Sequence, residues 1–598
     1  MKIPMAHPLA TLQKGLNHSA AYATFVRKAL EPCNYKAKII LYTDEITPGQ
    51  VLQGDQNRKT TCIYWTFSEF GYPALSHEVA WITLATVRHK DVLELEGGQN
   101  TLVKGALREF FGTSPTSPDA AFDCRRGVVI QLGESGPPKV LFADSDMILQ
   151  DLLAHQEVLR IRGPNAIKLC MKCMNVVKHN STCLPDASGS LISSTDLRVH
   201  LYKQHTTATV RAAVRRVAQV AVENPPALEE LQINTGFNYV PNNFIVDEHL
   251  GIRVGEVVVY DWMHLYFVDG IYVRELKALL GLLNTHGLGG NSLDMHLKLW
   301  TWPMCITSAR SVCSLRKGYH EPTGNASEYL STAAPLNKWL RDVVMPNGVC
   351  VAACRSMEAL IQVVVCLMEA QYSRVLPAEL ERRILRHLTL HLEAYGETIW
   401  TMKFHGALHL PGTLKDHGKL PSCFCLERKH RIPKRHMQGR TNTVNFARGV
   451  LEDVTVQWLG DLVDPTRRSS LVQERPASRR MREALLQLGC AEAEDTVVSA
   501  LVAVVDCNNI GKGDVALYKT AGGFGVARVW FHCRIGSTSL SCVQEWEVLN
   551  RPHPSYLRAR KGVQAPRMIP TGNLEIATIY SDVADGAVAT VLLPLHYL

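Results

Sequence analysis

Long hydrophobic runs are missing from the sequence. The two most apolar stretches, residues 360–368 and 497–505, reach about half of the ~18 uninterrupted apolar residues of a membrane span. Residues 1–15 lack the sustained apolar region of a secretion signal. The 17 cysteines are an odd number, which argues against a complete disulfide framework. We therefore expect reduced cysteines, no membrane partner and a location in the cytosol or nucleus.

Motifs for nucleotide cofactors and for hydrolase nucleophiles are also missing. No GxxxxGKS or GxxxxGKT phosphate loop occurs, no complete GxGxxG stands between a strand and a helix, and no GxSxG elbow is present. These absences disfavour a metabolic α/β enzyme. The net charge of +8 is a small excess for 598 residues, so it permits a polyanionic partner without requiring one.

The first part of the chain carries an ordered series of short elements. Apolar, β-prone segments predict strands at 37–46, 60–71, 80–88, 127–132 and 139–144, and helical spacing predicts helices at 102–111 and 145–161. This order predicts an α+β or α/β fold with an RNase H-like mixed sheet. Asp44 then lies on the first strand and Asp144 at the tip of a neighbouring strand.

The length of the chain predicts several domains, at roughly 100–200 residues each. A mainly helical region interrupts the sheet, and the last hundred residues contain short strands between Gly, Asn and Ser turns, as in a small β-barrel. The predicted division is an N-terminal segment 1–34, a first half of the core 35–165, a helical insertion 166–400, a second half of the core 401–463, a linker 464–495 and a β module 496–598.

Five motifs occur in an order that resembles a known family. They are LYTDEITPG, FADSDMILQDLL, CMKC, DWMHLYFVDGI, and KFHGALHLP followed by CFCLERKH. Over residues 35–450 the chain resembles the transposases of CACTA (En/Spm-type) elements and their relatives in protists and fungi. The resemblance implies an RNase H-like DDE domain with a large insertion between its second Asp and its Glu.

Carried over to this sequence, the resemblance assigns Asp44, Asp144 and Glu427 as the catalytic, metal-binding acids, and Asp261 and His264 as the Asp-x-x-His motif of the insertion. Two features depart from the family pattern. Ala143 precedes Asp144 where Gly is usual, which leaves Asp146 as a competitor, and Pro433 limits the helix expected after Glu427.

The implied chemistry is divalent-metal-dependent nicking of DNA followed by strand transfer. Three carboxylates can hold two cations, ~3.5–4 Å apart, on either side of a scissile phosphate, and hard oxygen ligands select Mg²⁺ or Mn²⁺. The alternative is a catalytically inactive descendant that binds DNA or chromatin in the nucleus. Convergence of the three carboxylates would favour the active nuclease over the inactive DNA-binding protein. The sequence does not decide whether the chain forms a homo-oligomer.

Cys170 and Cys173 have the spacing of zinc ligands. Cys183 and His179 are available as further ligands, but the favoured set adds His200 and His205 to the cysteine pair. The alternative is that the two cysteines are ordinary core residues.

A basic segment follows Glu427 and predicts contacts to DNA phosphates; its members are Arg428, Lys429, Arg431, Lys434, Arg435 and Arg440. A solvated basic face or a nuclear-import signal is the alternative. Aromatic residues in the β module indicate either its core or a cage for a modified lysine, which would make chromatin a partner.

Overall fold

A computed structural model describes residues 3–48, 59–112, 123–134, 136–184, 188–313, 321–440, 445–463, 469–487, 489–506, 508–562, 564–583 and 586–594. The chain forms two compact units. The first contains residues 1–271 and 370–466, and the second contains residues 272–369 and 467–598.

The strands, numbered along the chain, are β1 (Lys36–Ile46), β2 (Thr60–Phe67), β3 (Ile82–Arg88), β4 (Val128–Gln131), β5 (Pro138–Gln150), β6 (Val176–Val177), β7 (Ile192–Ser193), β8 (Val258–Tyr260), β9 (Ser469–Val472), β10 (Arg475–Pro476), β11 (Val497–Ala500), β12 (Val502–Val505), β13 (Asn508–Gly511), β14 (Val515–Thr520), β15 (Gly523–Ile535), β16 (Thr538–His553), β17 (Tyr556–Arg560), β18 (Arg567–Pro570), β19 (Leu574–Thr578), β20 (Tyr580–Asp582) and β21 (Val588–Leu592).

The α-helices are α1 (Pro8–His18), α2 (Ala20–Leu30), α3 (Gly71–Leu75), α4 (His89–Leu93), α5 (Gln99–Phe111), α6 (Leu152–Leu159), α7 (Thr207–Glu223), α8 (Leu228–Thr235), α9 (Val254–Val257), α10 (Trp262–Phe267), α11 (Ile271–Asn284), α12 (Gly290–Lys298), α13 (Ala326–Trp339), α14 (Val351–Gln371), α15 (Pro377–Tyr395), α16 (Met402–Ala407), α17 (Leu410–His417), α18 (Phe424–Lys429), α19 (Arg431–Gln438), α20 (Phe446–Gly460) and α21 (Arg479–Gln487).

The first unit is built on a mixed sheet of order β3-β2-β1-β5, with β4 and β8 both added to the far side of β5. Strands β1, β2 and β3 are antiparallel, whereas β1, β5 and β8 run parallel. The predicted mixed α/β architecture is thus confirmed. Every residue of β2 is buried, so helices and loops cover both faces of the sheet.

Strand β5 is longer than the sequence predicted. The helix expected over 145–161 begins only at Leu152, because residues 145–150 continue the strand. Met147, Ile148 and Leu149 are each completely buried. A parallel strand buried on both faces reads as a continuous apolar run, and periodicity alone does not separate such a run from a buried helix. This extension moves the carboxyl end of β5 by six residues.

The second unit combines α11–α14 with two β-sheets. A ten-stranded sheet follows the order β10-β11-β15-β16-β17-β21-β20, with β14, β18 and β19 attached to it, and β13-β12-β9 forms a second sheet. Among the described residues, the end strands β10 and β20 of the ten-stranded sheet do not pair with each other, so this sheet is open. The predicted small β-barrel is wrong in this respect.

Helix α14 is 21 residues long and apolar enough, by length and composition, to cross a membrane. In the structure, 67% of its most apolar 18-residue window is buried. A core helix has the same properties, so this finding is weak evidence for a membrane span.

Candidate metal-binding sites

Asp44 lies near the carboxyl end of β1, with its side chain half-buried. Its Oδ2 atom accepts a hydrogen bond from the Tyr42 hydroxyl at 2.9 Å and lies 3.1 Å from Nε2 of His430. Its Oδ1 atom accepts from the Glu45 amide at 2.7 Å. Burial raises the pKa of Asp44, but the hydrogen bond and charge of His430 outweigh it and lower the pKa, so the aspartate stays ionised.

Glu427 and His430 come to Asp44 from α18 and the residue after it. The ligand atoms of Asp44, Glu427 and His430 all lie within 4.8 Å of one another. Pro433 cannot donate a hydrogen bond to the carbonyl four residues earlier, which explains why α18 ends at Lys429 and a second helix begins at Arg431. The predicted pairing of Asp44 with Glu427 is therefore present in the fold.

Asp144 does not reach this site. In the β1–β5 register it lies opposite Lys38, six residues before Asp44, which is about 20 Å along the strand. Asp146, its competitor, lies at the same distant end, where it contacts His417 at 3.1 Å. The assignment of Asp144 to the acidic site needs correction, because β5 continues for six residues beyond it.

Asp151 occupies the place expected of Asp144. Tyr42 pairs with Leu149, so continuing two residues along each chain places Asp44 level with Asp151 at the carboxyl ends of two parallel neighbours. Asp151 also caps α6 by accepting from the Ala154 amide at 2.6 Å. The sequence contains a direct signal for this residue, since an Asp before Leu-Leu-Ala-His is a good helix cap.

Asp44 and Asp151 line one cavity of about 210 Å³. Its other walls are formed by β1, the start of β2 with the residue before it, α5 and the first two turns of α6. The lining residues there are Thr43, Glu45, Lys59, Thr61, Gln99, Leu153, Ala154, Glu157 and Val158. Leu153 is 60% exposed at this cavity. The site is thus open to a ligand.

The carboxylates of this site oppose one another's ionisation. Burial raises the pKa of Glu427, and the negative charge of Asp44 raises it further. Burial likewise raises the pKa of Asp151, and Asp44 again adds to the shift. Such a set of acids is stabilised by a cation placed among them.

His264 is a positive neighbour of these acids. Asp261 ends β8 and caps α10, and its Oδ2 lies 2.6 Å from Nδ1 of His264. Burial alone lowers the pKa of His264, but the hydrogen bond and charge of Asp261, together with Asp151 and Asp44, raise it to about 9. Its Nε2 atom lies 3.7 Å from Oε1 of Glu427. The predicted pair therefore lies at the carboxyl end of the sheet, within the first unit.

A second cluster in the first unit consists of Cys170, Cys173, His405 and His409, all buried, with ligand atoms within 4.8 Å of one another. Nε2 of His409 lies 3.3 Å from Sγ of Cys170, 3.4 Å from Sγ of Cys173 and 3.2 Å from Nε2 of His405. Tetrahedral zinc with bonds of about 2.3 Å to sulfur and 2.05 Å to nitrogen requires separations of about 3.3 Å between nitrogens, 3.6 Å between nitrogen and sulfur, and 3.8 Å between sulfurs. The four side chains fit a zinc ion, and buried groups of this kind could hold a metal.

Burial lowers the pKa of His409, which keeps its imidazole neutral as ligation requires. Burial disfavours the thiolate of Cys170, but a hydrogen bond from Cys173 lowers the pKa of Cys170 strongly. The same hydrogen bond and burial raise the pKa of Cys173, so a metal ion would have to displace the proton of that thiol.

His200 and His205 are not part of this cluster. His200 is exposed, and Nδ1 of His205 lies 3.0 Å from the Thr209 hydroxyl at the start of α7. The predicted second half of the zinc set is therefore corrected to His405 and His409. The long stretch of chain between Cys173 and His405 concealed the match, although the spacing H-x-x-x-H in KFHGALHLP was a usable signal.

The basic segment divides into paired and exposed residues. Arg428 donates a hydrogen bond to the carboxylate of Glu78, and the buried ammonium of Lys429 donates to the backbone carbonyl of the same residue. Arg440 donates to Asp453 and to the backbone carbonyl of Gly449. On α19, Arg431 and Arg435 are exposed and Lys434 is half-buried, with its charge close enough to Glu427 to lower that residue's pKa. The predicted DNA-contact surface therefore narrows to α19.

The aromatic residues of the β module differ in their exposure to solvent. Tyr518 and Trp546 are buried, Phe524 and Phe531 are partly buried, and Trp530 is 48% exposed. The ammonium of Lys561 lies 5.9 Å from the ring of Trp546 and 5.7 Å from that of Tyr580. A lysine of this chain thus already occupies the space beside these two rings.

No protein-family model matches the chain, and a search among curated proteins returns no significant match.

Proposed function

We propose that the chain is a DNA nuclease and strand transferase of the DDE type, related to the CACTA transposases, with Asp44, Asp151 and Glu427 as its acids. The observation that carries this proposal is the position of Asp44 on β1, beside Glu427 of α18 and in one cavity with Asp151, which directly follows β5. The parallel run β1, β5, β8 beside an antiparallel β2 and β3 is the strand order expected of an RNase H-like core.

The donor set fits divalent cations, since carboxylates are hard ligands and burial, together with the negative charge of Asp44, raises the pKa values of Asp151 and Glu427. Asp44, Asp151 and Glu427 would hold Mg²⁺ or Mn²⁺, which when bound activates water or a 3′-hydroxyl and stabilises the leaving oxygen. His264, held positive by Asp261, faces the same site and favours an approaching phosphate. The open cavity beside Asp44 and Asp151 admits the backbone of a strand.

Two further features support action on DNA. Arg431, Lys434 and Arg435 stand on the helix directly after Glu427, where they would neutralise phosphates next to the acids. Zinc at Cys170, Cys173, His405 and His409 would tie the segment after α6 to the segment that leads into α18. Structural zinc would thereby hold Glu427 in place from a distance.

The test is nicking of supercoiled plasmid in Mn²⁺ by the full chain. Wild type should nick, and Asp44→Asn and Asp151→Asn should fall to background. Asp144→Asn is the matched control and should keep wild-type activity, since Asp144 lies at the far end of β5. Inactivity of Asp144→Asn with an active Asp151→Asn would reverse the assignment. A wild type that binds but never nicks DNA would favour the inactive DNA-binding alternative.

A further inference from the structure

His430 is buried beside the rings of two tyrosines, Tyr42 and Tyr64. It is 1% exposed, and its ring centroid lies 6.0 Å from that of Tyr42 and 5.5 Å from that of Tyr64. Nδ1 lies 3.1 Å from the Tyr64 hydroxyl, and Nε2 lies 3.1 Å from Oδ2 of Asp44. Only Nε2 therefore faces the carboxylates.

The Tyr64 hydroxyl can fix the tautomer of this ring. It also contacts the thiol of Cys62 on the same strand, so it can donate there while accepting from Nδ1–H of His430. When Nδ1–H is directed to this buried partner, Nε2 is the ring atom left for a ligand beside Asp44 and Glu427. A cation held by the two carboxylates would take the place of the hydrogen bond between Nε2 of His430 and Asp44 that forms without it.

We propose that His430 is a direct metal ligand through Nε2, and that it makes the cation site of Asp44 and Glu427 select Mn²⁺ over Mg²⁺. This inference rests on the proposed function, because it names the metal preference of the same site. Imidazole is a good ligand for transition metals, whereas Mg²⁺ prefers oxygen donors and keeps its waters. Tyr64 then acts as the partner that orients the ligand and raises its basicity.

The experiment measures metal binding, which does not depend on nuclease activity. The cysteine–histidine cluster of the full-length protein is first loaded with zinc. The protein is then titrated with Mn²⁺, and binding is measured as the loss of the electron paramagnetic resonance signal of free Mn²⁺. Mg²⁺ is finally added as a competitor. We expect Mn²⁺ to bind at least about 100-fold more tightly than Mg²⁺. In His430→Asp, an all-oxygen site should reduce that ratio by about 10-fold or more.

Electron spin-echo modulation on the bound Mn²⁺ gives the direct readout. Wild type should show coupling to a directly bound nitrogen, and His430→Asp should lose it while still binding Mn²⁺. Tyr64→Phe keeps the ring and removes only the hydroxyl, and it should weaken Mn²⁺ binding by about 10–100-fold with the coupling retained.

The two proposals fail in different ways. Mn²⁺ bound at a site that Asp44→Asn abolishes, but without nitrogen coupling and with an unchanged Mn²⁺/Mg²⁺ ratio in His430→Asp, would overturn the role of His430 and leave the proposed function standing. A wild type that binds no Mn²⁺ at this site would overturn both.

Discussion

The first unit should become less stable as the pH rises, because the stabilising ion pair between Asp261 and His264 is then lost. The pKa of His264 is raised from 6.5 to about 9, chiefly by Asp261 against the effect of burial. Each pKa unit corresponds to 1.36 kcal/mol, so the shift stabilises the fold by about 3 kcal/mol at low pH and by about 2.5 kcal/mol at pH 7. Because the folded pKa lies above the unfolded one, this stabilisation is complete below about pH 6.5 and is lost as the pH passes through about 9.

The perturbation is Asp261→Asn, which keeps the shape of the side chain but has a single acceptor oxygen, so it keeps one of the two hydrogen bonds that Asp261 accepts from the amides of His264 and Cys423. The free energy of unfolding is measured in urea at pH 6, 7 and 9, from hydrogen exchange of peptides of the first unit. The lost amide hydrogen bond should destabilise the variant by about 1–3 kcal/mol at every pH. Beyond that constant loss, the variant should be destabilised by about 3 kcal/mol more at pH 6 than at pH 9, because the charge of His264 contributes at pH 6 and is largely gone at pH 9.

Glu256→Gln is the matched control, since it removes one partner of the exposed pair Arg253–Glu256. Its effect should be below about 1 kcal/mol and the same at every pH. A loss in Asp261→Asn that is equally large at pH 6 and pH 9 would show that the missing contribution is not the charge of His264, and would refute the reasoning.

Three further outcomes follow from the two metal-binding clusters and from α19. Purified chain should contain about one zinc, measured by mass spectrometry; Cys173→Ser should lose it, and retention of zinc in that variant, or its loss in His200→Ala, would contradict the corrected ligand set. Mn²⁺ at 100 times its dissociation constant should stabilise wild type by about 2.7 kcal/mol and Asp44→Asn by almost nothing, as read from denaturant unfolding. Lys434→Gln should reduce the slope of log affinity for DNA against log salt by about 0.9, whereas a comparable change in Arg440→Gln, whose guanidinium is paired internally, would remove α19 from the DNA surface.

The sequence indicated the mixed sheet and two members of the acidic site, because their local patterns are strong. LYTDEI predicts a buried strand that ends in acids, and CFCLERKH supplies Glu427. His430, three residues after Glu427, was not predicted as part of the site, although that spacing places both on one face of a helix. The Asp-x-x-His spacing likewise brought Asp261 and His264 together correctly. Each of these features is decided within a few residues of chain.

The predictions from the sequence were wrong where contacts between distant parts of the chain decide the local structure or the ligand set. Residues 145–150 form a strand although their apolar spacing suits a helix, because both faces of β5 are covered. The sequence therefore placed the end of this strand six residues too early, and the second acid was assigned to Asp144 instead of Asp151. The histidines of the second cluster are brought to Cys170 and Cys173 by the fold, and nothing in the spacing between distant motifs reveals it. The contacts of Arg428 and Lys429 with Glu78 likewise come from the fold, because Glu78 is about 350 residues away in the sequence.

The most direct test of the central claim is anomalous scattering from Mn²⁺ in crystals of the full chain. We predict Mn²⁺ density at the carboxyl ends of β1 and β5, in contact with Asp44, Asp151 and Glu427, that disappears in Asp151→Asn crystals. Density at Asp144 or Asp146 at the other end of β5, or none at the acidic cluster in saturating Mn²⁺, would contradict the assignment of this site as a metal-dependent nuclease centre.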